Sequence, residues 1–143
     1  MANVITLAML VEKNACARQV EMFKRYFGKS VKICQNICDK YSSEFDIDWA
    51  AENLLNEVQH ELYYTIRAQA WKAYNAIEWR AWEKYRDWDR TISETCNPRG
   101  VPPMAEYKAV ESAAVKKYEA TKEAAHKAYN KKRARAFCLA YNS

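Results

Sequence analysis

The sequence predicts an all-α protein, with a small helical head over residues 1–45 and a long antiparallel helical hairpin over residues 46–143. Three observations carry this reading. Tyrosine recurs every eleven residues at Tyr63, Tyr74, Tyr85, Tyr107, Tyr118 and Tyr129, with one double step between 85 and 107. Within each unit the apolar slots are spaced for a helix and do not alternate as in a strand. The segment Cys96-Asn-Pro-Arg-Gly-Val-Pro-Pro103 breaks the pattern between two such stretches.

Four positions before Tyr stand Gln59, Ala70, Ala81, Pro103, Ala114 and Ala125, mostly small, and three before stand His60, Trp71, Trp82, Met104, Val115 and His126, mostly large and apolar. An apolar residue commonly follows three after (Ile66, Ile77, Trp88, Val110). Eleven residues make three turns at about 3.67 residues per turn, so the stripe drifts slowly along a relaxed helix. The arms are predicted at about 46–95 and 103–140, roughly 70 and 55 Å long at the helical rise, with the loop at about 96–102. Pro98, Pro102 and Pro103 exclude a continuous helix there. The alanine slot lets backbones approach, while Trp71, Trp82 and Trp88 fill the slots expected to be core alongside the tyrosines.

The head lacks the repeat. Thr6 can cap a short helix through Val11, Asn14 can cap another from Ala15 to Phe27, and Gly28 stops it. Residues 30–33 read as extended and residues 34–42 as a third short helix. Asp46 or Asp48 can cap the long helix starting at Trp49, and Trp49, Leu54 and Leu55 offer a surface for the head to fold against.

The run from Asn14 to Leu55 resembles the head of an uncharacterised family of small phage and bacterial proteins. The family pattern reads ACxxQVxxFxxxFGxSV, then LC, then FDWDWAAxNLL, followed by eleven-residue units of the form AxAEYxRVxAP. Ala15, Cys16, Gln19, Val20, Phe23, Phe27, Gly28, Ser30 and Val31 match its first part; Cys38, Phe45, Asp46, Asp48, Trp49, Ala50, Ala51, Asn53, Leu54 and Leu55 match the rest. Met104–Val110, MAEYKAV, is the nearest copy of the unit. The resemblance implies a viral or mobile-element origin and no particular activity. The Trp-rich first arm, AWKAYNAIEWRAWEKYRDW, departs from the usual units, so a partner of those units need not be shared.

No run approaches the roughly 18 apolar residues that span a bilayer. With no basic region ahead of its short apolar start, the chain is expected to be cytoplasmic, in the host cell if phage-encoded. Five cysteines, an odd number, suit reduced thiols better than a disulfide framework. Cys34 and Cys38 lie one turn apart and are expected to pack as small apolar residues.

Residues from 104 onward hold nine basic and four acidic side chains, so the whole formal charge of +5 resides there. Lys116, Lys117, Lys127, Lys131, Lys132, Arg133 and Arg135 are therefore candidate contacts for phosphate or an acidic protein, against the plainer reading of a solvated face. Glu78, Glu83, Asp87 and Asp89 alternate with Arg80, Lys84, Arg86 and Arg90, the pattern of an exposed helix laced by ion pairs. Trp79 lies off the repeat stripe and is the aromatic expected to meet a partner, such as a second copy.

Two Glu-x-x-His pairs, Glu57 with His60 and Glu123 with His126, resemble half of a carboxylate di-metal site. A hairpin folded near residue 98 would set His60 opposite about residue 136 and His126 opposite about residue 70, roughly 15 Å apart along the axis. They are read as repeat positions, with no metal or other cofactor. Two glycines in all exclude a glycine-rich phosphate loop, and no catalytic residue is assigned. The expectation is a non-enzymatic interaction factor, a phage accessory or counter-defence protein binding a host protein, with a dimer favoured. The alternative is a nucleic-acid or nucleotide binder using the basic helix.

Overall fold

In a computed structural model, which describes residues 3–96 and 104–143 and the side chains up to Thr91 and from Lys108, the chain is all-α. The described residues form six helices and one two-stranded sheet. Two long helices pair antiparallel, as predicted. Residues 97–103, which hold most of the loop expected at about 96–102, and the side chain of Tyr107 lie outside the described residues.

The chain divides into two compact units: residues 1–70 with 130–143, and residues 71–129. In the first, β1 (Val4–Thr6) pairs antiparallel with β2 (Ser30–Lys32), Ile5 opposite Val31. The sequence reading omits β1, a three-residue β-branched run. Thr6 caps α1 (Leu7–Glu12), its hydroxyl accepting from Met9 N at 3.2 Å. Asn14 does not cap the next helix. It takes φ +58°, and its N–H closes the end of α1 on the Val11 carbonyl at 3.1 Å, because Asn tolerates the left-handed region. Helix α2 (Ala17–Phe27) starts behind Cys16 and ends at Gly28, whose φ of +69° favours glycine. Helix α3 covers Gln35–Lys40.

The long helix does not start at Trp49. Asp46 accepts from Trp49 N at 3.0 Å and caps α4 (Ile47–Leu54), which stops where Leu55 turns extended. A reciprocal cap then opens α5 (Glu57–Cys96): Gln59 N donates to Asn56 Oδ1 at 2.9 Å and Asn56 N to Gln59 Oε1 at 3.0 Å. Helix α6 spans Met104–Tyr141.

The core of the first unit joins Ile5, Leu10, Phe23, Ile33, Ile47, Ala51 and Tyr63 to the end of α6, where Ala134, Ala136, Phe137, Cys138 and Ala140 are all buried. Arg135 and Leu139, one turn apart, keep the remaining face of this helix end exposed. Tyr141 Oη donates to the Val4 carbonyl at 3.1 Å and Asn142 Nδ2 to that of Ile33 at 3.3 Å, tying this helix end to the sheet. Trp49, Leu54 and Leu55 pack against this core, as the sequence suggests.

Candidate functional site

In the second unit the eleven-residue spacing produces the same ring cluster twice. Trp71, Tyr74 and Tyr129 form one and Trp82, Tyr85 and Tyr118 the other. The tyrosine pairs across the helices stand at 5.8 Å in both, and each Trp meets the opposite Tyr edge-on, at 5.3 and 6.1 Å. Equal periods on two antiparallel helices make each contact recur when α5 advances eleven residues and α6 retreats eleven. Tyr74 meets His126 and Glu78 meets Lys122, so the pairing is about one turn away from the register expected from a fold at residue 98. Both rungs pair Tyr with Tyr, and so they share one register.

The buried seam is narrower than the repeat suggests. Ala70, Tyr74, Ala125 and Tyr129 are buried, whereas Trp71 and Trp82 stay 47 and 41 % exposed and Ile77 41 %. At about 100° per residue, Ala and Tyr four apart share one direction, while the Trp and Ile slots lie about 60° to either side of Tyr. Two helices bury the centre line and leave both margins open. Trp71 and Trp82 are therefore margin residues rather than core; Tyr85, Trp88 and Tyr118 are half-buried. In the first unit Tyr63 is completely buried.

Trp79 is 58 % exposed, the largest value among the tryptophans. With Trp82, Asn75 and Tyr118 it lines one groove along the Trp margin. Glu78 on that margin is held by Lys122 Nζ at 3.4 Å, and this carboxylate raises the lysine pKa.

The basic candidates do not share one environment. Lys116, Lys117, Lys127, Lys131 and Lys132 are exposed, Lys127 within 3.1 Å of Glu123. Arg133 and Arg135 hold the first unit together. Arg133 Nη1 donates to Asp48 Oδ2 at 2.9 Å, and Arg135 grips Asp39 through Nε and Nη2 at 2.7 and 3.0 Å, holding that carboxyl below its ordinary range. Asp48 also accepts from Tyr63 Oη at 2.6 Å and lies 3.0 Å from Arg67 Nε. Burial first, then this carboxylate, pushes the Tyr63 hydroxyl far above its ordinary value. The sequence reading assigns Asp48 only to capping. The cap falls to Asp46, and the pairing of Asp48 was visible in no local motif, because Arg67 and Arg133 are distant in the chain.

His60 packs on Tyr64 in the first unit and His126 on Tyr74 in the second. Among the described residues no three His, Cys, Asp or Glu side chains converge. Cys38 is buried beside Cys138, and burial, then that thiol, pushes its pKa up. The ion-pair ladder expected along α5 reduces, among the described residues, to Asp87 with Arg90 at 3.9 Å. No described helix is long and apolar enough to cross a membrane.

Compared with protein-family models, curated proteins and solved structures, the chain matches none. The fold and surface define it as an all-α protein with a paired-helix seam and open aromatic margins.

Proposed function

We propose that this chain is a non-enzymatic interaction factor of viral or mobile-element origin that acts in the host cytoplasm by binding protein surfaces. The observation that carries this is the Trp margin, where Trp71, Trp79 and Trp82 follow one side of α5 with 41 to 58 % of their surface open. Tryptophan dominates interface energetics because a rigid, large ring is desolvated at little entropic cost. The margin pairs with a second copy at rest, in a dimer, and with a host protein, such as a component of a defence complex, in action.

The test uses tagged full-length chain and its Trp79→Ala variant in the same expressing or infected cells, with nuclease treatment before elution. A defined protein retained after nuclease and lost with Trp79→Ala supports the reading. Capture that disappears with nuclease, or that is indifferent to Trp79, refutes it. Trp79 is exposed, so the variant is expected to keep the parent's helicity and melting behaviour.

A further inference from the structure

The other margin of the same seam has a different chemistry. A groove of about 380 Å³ runs along it, walled by Tyr85, Trp88 and Tyr118 and carrying Arg80, Lys84 and Lys117. No acidic side chain lines it, and among the described residues none of the three cations has a carboxylate within ion-pairing distance. Of the two acids beside them on α5, Asp87 lies 3.9 Å from Arg90 instead, and Glu83 neither lines the groove nor stands within ion-pairing distance of Arg80 or Lys84. Arg80 and Lys84 are one turn apart, and like charges at that spacing repel. An anion placed among the three would relieve this, whereas the Trp79 margin has its own carboxylate already neutralised by Lys122.

Charge alone would suit any anion, but the walls narrow the choice. Tyr85 is tilted by 32° to Trp88 at 6.1 Å and by 37° to Tyr118 at 5.8 Å, so aromatic surface flanks the cations. A flat aromatic ring can pack there while a linked anion reaches the basic side. The volume is near the lower end of the roughly 300–1,000 Å³ typical of small-molecule sites, enough for one nucleotide.

We infer that this groove binds a free nucleoside phosphate, its base against Trp88 and Tyr85 and its phosphates among Arg80, Lys84 and Lys117. Tyr118 on the seam borders both grooves, but Arg80, Lys84, Trp88 and Lys117 line this one alone, and the inference does not rest on the protein-binding reading. Binding should weaken with salt because the phosphate contacts are solvent-exposed.

The experiment is titration of the full chain with ATP, followed by tryptophan fluorescence and calorimetry, with adenosine, tripolyphosphate and a thymidine oligonucleotide as parallel probes. ATP is expected to saturate below about 1 mM and to weaken at least fivefold between about 50 and 300 mM salt. Lys84→Glu should weaken it by about tenfold or more, Lys84→Arg should retain it, and Trp79→Ala should leave it unchanged. Adenosine and tripolyphosphate should each bind about tenfold more weakly than ATP, since each satisfies one half of the groove. No saturation by about 5 mM ATP overturns the inference, as does tripolyphosphate binding equal to ATP. Oligonucleotide binding far tighter than ATP also overturns it, assigning the groove to a strand; indifference to Lys84→Glu in a variant with parental circular dichroism would do the same.

Discussion

Replacing Asp48 by Asn would test whether the first unit is locked by its central carboxylate. Asp48 on α4 receives the Tyr63 hydroxyl and lies against Arg67 on α5 and Arg133 on α6, so a single charge joins three helices. The amide keeps the shape but removes the charge and part of the acceptor capacity. Weakening a hydrogen bond from a buried donor to a charged group costs about 1.5–3 kcal/mol. Stripping the counter-charge from a fully buried ion pair costs about 3–5 kcal/mol, but Arg133 and Asp48 are 18 and 30 % exposed, so solvent screening takes most of that away. The combined loss should be about 2–4 kcal/mol, roughly 6–12 °C in melting temperature for a chain of this size. Urea unfolding followed by circular dichroism measures it, with Tyr63→Phe and the double variant completing a cycle. A coupling of about 1 kcal/mol or more between positions 48 and 63 is expected. A midpoint for Asp48→Asn no lower than that of Asp39→Ala, which removes an exposed pair, would refute the reasoning, as would zero coupling.

Three further outcomes follow from single positions. Raising pH should destabilise the first unit, because Cys38 and Tyr63 have folded-state pKa values above their ordinary 9.0 and 10.0. Their contribution is complete below those ordinary values and is lost as pH rises past them, and Tyr63→Phe should flatten the decline above about pH 10 in pH-dependent urea midpoints. Asn56→Ala removes the acceptor for Gln59 N and should cost about 1 kcal/mol, with faster amide exchange in the first turn of α5 by mass spectrometry. Gly28→Ala should cost about 1 kcal/mol or more from backbone strain alone, since a Cβ there meets nothing within 4 Å; a thermal melt equal to the parent's would contradict this.

What could be read from the sequence was whatever depends on local spacing. Thr6, Gly28 and Asp46 mark helix ends through chemistry that acts within four residues, and the structure uses all three. The pairing of long helices was equally legible, because a helical apolar period needs a facing surface. Asn56–Gln59 was a readable capping pair that the eleven-residue spacing masked, since Gln59 also occupies the position four before Tyr63. The lock at Asp48 was not legible, as its partners come from positions 63, 67 and 133 and only the folded chain assembles them. Nor was the burial of the last α6 turns, where Arg133 and Arg135 look like a basic tail but are paired with Asp48 and, at the exposed edge, with Asp39.

The narrow seam explains why aromatic content alone is a poor guide to the core here. A helix pair offers one line of closest approach, and the alanine–tyrosine spacing occupies it fully; the slots about 60° away can only half-bury, whatever residue fills them. Placing tryptophan in those slots leaves apolar area open that a polar residue would not. On one margin that area surrounds a carboxylate already matched by Lys122, which suits a partner recognised by shape and desolvation. On the other it surrounds Arg80, Lys84 and Lys117 without a carboxylate among them, which suits a partner carrying negative charge. One eleven-residue spacing thus produces two surfaces of different electrostatic character, and exchanging Lys84 for Glu or Trp79 for Ala should separate them by weakening one binding activity at a time.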